Sequence, residues 1–304
     1  MASLLRRLLP GSKLRESRAS SVPGPVPPQS NSNPFESLLI LANKSRTQYE
    51  QAGHIFDLDE SIAYYRQASR ADPTPRNDQL GSLYRELAIV LFKRFERMHQ
   101  LGDLDECIAC DREAVEYLPA PHPNRSMILY NLGADLHVRF EETGQFSDLD
   151  ESIAYHRQAL ELRHLSHPDR HLSLNNLANG LSARFLKTGQ LDDLTESISY
   201  LREALELTPP SHPNRSVSLN NLAQSLYRRF EKTAQIRDLD ECISRHREAV
   251  KLRPVPHSGR PNSLNNLAHA LDTRFQQRGE LGDLEESNAC RRELERLNRV
   301  ASLG

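Results

Sequence analysis

The 304-residue chain carries 39 Lys+Arg against 41 Asp+Glu, for a net charge of −2. That balance is unlike the basic domain of a dedicated nucleic-acid binder, so no nucleic-acid partner is expected. The longest purely apolar stretch, Leu87–Phe92, is far short of the ~20 residues that span a bilayer, so no membrane insertion is expected. Four cysteines make no disulfide framework, which places the chain in a reducing, cytoplasmic setting.

Residues 1–34 hold a Pro/Ser/Gly-rich run, and Arg6, Arg7, Lys13, Arg15 and Arg18 face the single acid Glu16. This tail carries about +4 and the remainder about −6. Such a composition cannot bury enough apolar surface to offset its ordering entropy, so a disordered tail is expected. Arg6 and Arg7 interrupt the apolar run that a secretory signal needs. An Arg- and Ser-rich, acid-poor start resembles a mitochondrial transit peptide, although a solvated tail is the preferred assignment.

Residues 35–304 are organised by one period. Phe95, Phe140, Phe185, Phe230 and Phe275 stand 45 apart, each preceded by Arg: Arg94, Arg139, Arg184, Arg229 and Arg274. Ile62, Ile108, Ile153, Ile198 and Ile243 recur likewise, with one step of 46. Leu41, Ala42 and Tyr49 extend the register back to a degenerate first unit. Six units result, at about 35–77, 78–123, 124–168, 169–213, 214–258 and 259–304.

Each unit contains two helical patterns. Leu174, Leu177, Ala178, Leu181 and Phe185 form one face at i, i+3, i+4, i+7 and i+11, and Leu194, Ile198, Leu201 and Leu205 form a second. Gly53, Gly144, Gly189 and Gly279 suit a left-handed C-cap to the first helix. His99 and Ala234 replace that glycine in two units, where the turn is expected to be less secure. Ile55, Leu101, Phe146, Leu191, Ile236 and Leu281 follow two residues later and are expected to fold back on the helix just ended. An Asp-x-x-Glu signature, such as Asp103/Glu106 or Asp148/Glu151, predicts a capping box on the second helix. His-Pro-x-Arg loops, such as His167–Arg170, place Pro where it suits a first helical position.

The residues Leu219-Asn220-Asn221-Leu222-Ala223, then Cys242, Ala249 and Pro254, resemble the tetratricopeptide (TPR) pattern: Leu and Ala on the first helix, then a small residue, Ala and a closing Pro on the second. The small position reads Ser61, Cys107, Ser152, Ser197, Cys242 and Ser287. The standard unit is about 34 residues, so these are long units. They are similar to those of kinesin light chain and to arrays preceding CHAT (caspase-like) protease domains in fungal proteins. HEAT or armadillo stacks share the period, but the small/Ala/Pro triplet favours the tetratricopeptide pattern. The resemblance implies an all-α fold: a right-handed α-solenoid of six helix-turn-helix repeats, twelve helices in all.

Catalytic and metal signatures are weak beside that periodicity. Cys107 and Cys110 form a CxxC, but both occupy repeat positions that hold Ser, Cys or Tyr in other units, so packing is the assignment. His164, His167 and His171 cluster, yet Pro168 breaks any shared helical face. No phosphate loop, G-x-S-x-G or H-E-x-x-H occurs. No enzyme activity, cofactor or metal is expected. The recurrent arginines suggest anion binding, but acids abound beside them. Arg139, Arg184 and Arg229 are expected to pair with carboxylates of the adjoining helix.

In tetratricopeptide stacks the first helices line a concave groove. The resemblance places Arg85, Lys93, Tyr130, His137, Asn175, Asn179, Asn220, Gln224, Tyr227, Arg228, Asn265 and His269 there. Carboxamides offer donors and an acceptor to an extended main chain, and Tyr and Arg are common interface anchors. The second Asn of each pair, Asn176, Asn221 and Asn266, is assigned to tying hairpins together. The expected function is a non-enzymatic scaffold that binds a protein or peptide segment. The alternative is a regulatory or sensing array of a CHAT-type or similar multidomain protein whose effector domain is absent from the chain. The sequence leaves partner identity and oligomeric state open.

Overall fold

A computed structural model describes residues 33–71 and 75–301. Among them there are twelve α-helices: α1 (Pro34–Ala52), α2 (Ile55–Ala68), α3 (Asn77–Met98), α4 (Leu101–Tyr117), α5 (Arg125–Thr143), α6 (Phe146–Leu162), α7 (Arg170–Thr188), α8 (Leu191–Leu207), α9 (Arg215–Thr233), α10 (Ile236–Lys251), α11 (Arg260–Arg278) and α12 (Leu281–Ala301). The chain forms two compact units, up to Leu162 and from Arg163 onward, with three helical hairpins in each. The expected tail, with its targeting assignment, lies outside the described residues except at its end. There Pro34 opens α1 rather than closing the tail, and Asn33 Oδ1 caps it by accepting the Phe35 N–H at 3.1 Å.

Each hairpin turns at one left-handed residue. Gly53, Gly144, Gly189 and Gly279 have φ between 70° and 74°. Their N–H groups donate to the carbonyls of Tyr49, Phe140, Phe185 and Phe275 at 2.7–2.8 Å. The repeated aromatic is thus also the acceptor of the C-cap. His99 (φ 51°) and Ala234 (φ 53°) take the same conformation, where a Cβ is strained.

The second helices begin two residues after that cap, earlier than the Asp-x-x-Glu signature suggests, and this overturns the capping-box expectation. Asp103 and Asp193 sit inside the first turn, and the N-cap residues Gln100 and Gln190 make no side-chain cap. The residues expected to fold back are instead the first of their helices, and Leu101, Phe146, Leu191 and Leu281 remain 38–68% exposed. The prolines of His-Pro-x-Arg are also displaced, lying two residues before the helices that open at Arg125, Arg170 and Arg215. The His ring fills the gap. Nδ1 of His122, His167, His212 and His257 accepts the N–H of Asn124, Asp169, Asn214 and Gly259 at 2.9–3.2 Å. The Arg closes the previous helix: Arg215 donates to the carbonyls of Leu205 (3.0 Å) and Thr208 (2.5 Å) and to Glu248 Oε1 at 3.0 Å.

Within a hairpin the helices approach closely because small residues face each other. Ser61, Ser152, Ser197 and Ser287 donate to the carbonyls of Ala42, Gly133, Ala178 and Ala268 at 2.6–3.2 Å. Each of these links satisfies a buried hydroxyl that is costly to leave unpaired. Between hairpins, the second helix packs on the next first helix, as in α2 on α3, α4 on α5, α8 on α9 and α10 on α11. In the second unit one apolar seam runs through Ala178, Ile198, Leu222, Leu226, Ile243, Leu264 and Leu271. A thin seam of this kind accounts for the low apolar content.

Candidate functional site

The arginine that precedes the repeated Phe in five units is committed to the fold. Arg139 Nε and Nη2 each lie 2.8 Å from Asp148, and Arg229 bonds Asp238 twice at 2.7 Å. Arg184 bonds Asp193 at 2.6 and 3.1 Å. The expected pairing is therefore present, and it uses the aspartates that do not cap. The glutamates of the same signature pair across hairpins: Arg112 with Glu151 at 2.6 Å and Arg202 with Glu241 at 2.8 Å. Hydrogen bonds to carboxylates raise the pKa of Arg94, Arg139 and Arg274, so these cations are neutralised locally. The stripe is ionic packing rather than an anion site.

The residues expected in the groove divide by burial. Tyr130 (2% exposed) and His137 (5%) are interior. Tyr130 packs edge-on against His156, and His137 against Phe140. Burial lowers the His137 pKa to about 4, which keeps the ring neutral. Asn175 and Asn220 are also buried. Asn175 Nδ2 donates to His171 O at 2.7 Å and to Ser218 Oγ at 2.9 Å, tying α7 to α9. Asn220 Oδ1 accepts from Asn266 Nδ2 at 3.2 Å, tying α9 to α11. The first Asn thus shares the tying assigned to the second: Asn175 ties without one, and Asn220 does so through Asn266, a second Asn that ties as expected, because these side chains meet the neighbouring first helix. Buried this way, Tyr130, His137, Asn175 and Asn220 do not present a surface to a partner.

Arg85 and Lys93 are held in a charged cluster between α1 and α3. Arg85 lies 2.9 Å from Glu86, which also pairs with Arg46, and Lys93 lies 2.7 Å from Glu50. The remaining six residues all belong to the second unit. Asn179 on α7, Gln224 on α9, and Asn265 and His269 on α11 reach solvent. Tyr227 Oη lies 3.0 Å from both His269 Nε2 and Thr273 Oγ1, and the Tyr227 and His269 rings are 5.2 Å apart. Next to Tyr227, Arg228 reaches across to α7, where it donates to Ser182 Oγ. The first helices of all three hairpins thus meet at Tyr227 and Arg228.

Arg228 differs from the repeat arginines. Among the described residues it makes no ion pair within 4.0 Å, and burial lowers its pKa against partial support from Glu231. Tyr227 has a raised pKa, chiefly from burial, so it stays a neutral phenol that both donates and accepts. Together they present a half-buried cation and an amphipathic ring on one face. Two other buried arginines escaped the sequence reading. Arg163 and Arg253 donate to the hydroxyls of Ser173 (2.8 Å) and Ser263 (2.6 Å) and to loop carbonyls. Their only sequence signal is a basic residue just beyond a second helix.

The histidines clustered near residue 167 serve the loop: His171 Nδ1 lies 2.9 Å from Pro168 O, and its ring packs edge-on against His212 at 4.7 Å. All four cysteines are free thiols. Among the described residues no helix is long and apolar enough to cross a membrane.

Residues 216–255, which span α9, α10 and the loop after them, match the tetratricopeptide-repeat family. No curated protein matches the chain. Among solved structures, BtubC (BKLC) from P. vanneervenii is similar at 18% identity and a TM-score of 0.55, over 89% of this chain and 92% of that one. The nearly identical TPR-like repeats of a putative kinesin light chain from Podosopora anserina align at 20% identity and a TM-score of 0.50, over 73% of this chain and 100% of that one. The MamA protein aligns at 13% identity and a TM-score of 0.50, over 73% and 92% respectively. At these identities the likeness is one of fold. With a family match on one unit and the same helical pair repeated along the sequence, the chain has the all-α helical-repeat solenoid fold of tetratricopeptide-repeat proteins.

Proposed function

We propose that the chain is a protein-interaction scaffold that takes up an extended segment of a partner along the first-helix face of α7, α9 and α11. The observation that carries this is the junction at Tyr227 and Arg228, where an amphipathic ring and a cation without an ion pair meet three first helices. Tyr and Arg are favoured as binding anchors because each offers contact area and directional hydrogen bonds. Asn179, Gln224, Asn265 and His269 flank them with donors and acceptors for a peptide main chain.

The test is a peptide array probed with the full chain, followed by anisotropy titration of the selected peptides. Tyr227→Ala and Arg228→Ala should each weaken binding at least tenfold, about 1.4 kcal/mol or more. Arg112→Ala, on a second helix, should leave it unchanged. Equal affinities for wild type and both anchor variants would overturn the proposal.

A further inference from the structure

The α4–α5 seam carries a cluster that the binding face does not use. Cys107 and Asp111 lie one turn apart on α4, and Asp135 faces them from α5. All three are completely buried. One ligand atom from each, the thiol sulfur and two carboxylate oxygens, can be chosen so that all lie within 4.8 Å of one another. Cys107 Sγ is 3.1 Å from Asp135 Oδ2 and 3.2 Å from the Ala88 carbonyl.

The rest of the chain shows what this seam holds elsewhere. At α8–α9 the equivalent residues are Ser197, Leu201 and Ser225. Ser197 Oγ meets the Ala178 carbonyl at 3.0 Å and Ser225 Oγ at 3.0 Å, so the two contacts of Cys107 recur there. At α10–α11 the residues are Cys242, His246 and Ala270, and at α2–α3 they are Ser61, Tyr65 and Val90. A hydroxyl and an apolar side chain therefore suffice to close the seam. At α4–α5 alone among these four, both outer positions become carboxylates, and they do so beside a thiol.

We propose that Cys107, Asp111 and Asp135 bind a divalent transition-metal ion of the zinc type. The donor set selects the class. Calcium and magnesium require six or more oxygens or retained water, whereas a thiolate with two carboxylates suits Zn²⁺. Ligands about 2.0–2.3 Å from such an ion stand roughly 3.5 Å apart, so the cluster needs to contract by about 1 Å at its widest. On binding, the Cys107 S–H bond breaks, its proton leaves to solvent, and an S–Zn bond forms while the two carboxylates supply oxygen lone pairs. The ion pins α4 of the second hairpin to α5 of the third. This proposal is independent of the peptide-binding face.

Full-length protein expressed with added Zn²⁺ should retain about one equivalent by elemental analysis, and the stripped protein refolded with Co²⁺ should show thiolate-to-cobalt charge-transfer absorption. Cys107→Ser and Asp135→Ser install the residues found at Ser197 and Ser225, and Asp111→Leu installs that of Leu201, so all three variants should fold as helical arrays by circular dichroism. Cys107→Ser should abolish the cobalt band, and each Asp variant should lower Zn²⁺ retention at least tenfold. A Cys110→Ala/Cys242→Ser/Cys290→Ala protein should keep both signals. Wild type with no more zinc than folded Cys107→Ser, or a cobalt band that persists in that variant, would overturn the proposal.

Discussion

Replacing Arg274 by Leu tests whether the repeated arginine is a structural ion-pair residue. Its guanidinium donates from Nε and Nη2 to both oxygens of Asp283, at 2.8 and 2.7 Å, and from Nη1 to Asp240 at 2.9 Å. The side chain of Asp283 is 5% exposed, while that of Asp240 is 36% exposed. Arg274 holds the Asp283 carboxyl below the usual carboxylate range, by hydrogen bonding that outweighs the opposing effect of burial. Removing the guanidinium leaves a buried carboxylate without its fork, which costs about 3–5 kcal/mol. Because Arg274 retains 13% exposure, the lower end, about 3 kcal/mol, is expected. Asp283→Asn keeps an acceptor but loses the charge and should cost about 1–2 kcal/mol. Asp240→Ala removes a solvent-screened partner and should cost under about 1 kcal/mol. Repeat arrays depart from two-state unfolding, so hydrogen exchange of α11 and α12 amides should accompany urea melts. A depressed carboxylate pKa stabilises the fold above the unfolded value and loses that contribution as pH falls. The Arg274→Leu penalty should therefore shrink on acidification below about pH 4. An Arg274→Leu protein within about 0.5 kcal/mol of wild type at pH 7 would refute this account.

Two further outcomes follow from backbone and burial. Ala234 holds a left-handed C-cap at φ 53°; Ala234→Gly should stabilise by about 0.5–1 kcal/mol in urea melts, and Gly144→Ala, at φ 74° with open space around the added Cβ, should destabilise by about 1 kcal/mol. Burial, helped by the charge of Arg253, lowers the His246 pKa to about 4. An unfolded histidine takes its proton near pH 6.5, so between these values the unfolded chain binds more protons and stability falls as pH falls. The loss should reach about 2 kcal/mol at pH 5 from this residue, and His246→Leu, the residue at Leu201, should remove that share of the acid sensitivity.

The fold was legible because its parts are local and repeated. The glycine C-cap, the 3.6-residue apolar face and the small position each act within one hairpin, so a single unit shows them and five others check them. The helix starts were misplaced for the same reason in reverse. Asp103 and Asp148 have the residue types of a cap, and only the position of Arg94 or Arg139 on the preceding helix shows that the carboxylate is already engaged. The His-Pro-x-Arg loop likewise hid its chemistry, since the Nδ1 acceptor and the guanidinium cap act on backbone groups that no side-chain pattern announces.

The binding face divides along the same line. A register position says which way a first helix points, but whether its side chain stays at the surface depends on the next hairpin. Asn175 is covered because Ser218 on α9 is close enough to bond it, whereas Asn265, in the same register on α11, is exposed. Arg228 is informative for the opposite reason. A guanidinium in this chain normally meets an aspartate or glutamate supplied by the repeat, and at Ser182 the repeat supplies a hydroxyl. A hydroxyl satisfies one N–H without neutralising the charge, so the cation keeps its long-range attraction while its geometry is fixed. Where the repeat keeps its pattern, side chains close the stack. Where it departs, at Arg228 on the first-helix face and at Asp111 and Asp135 inside, the side chains offer chemistry that packing alone does not require.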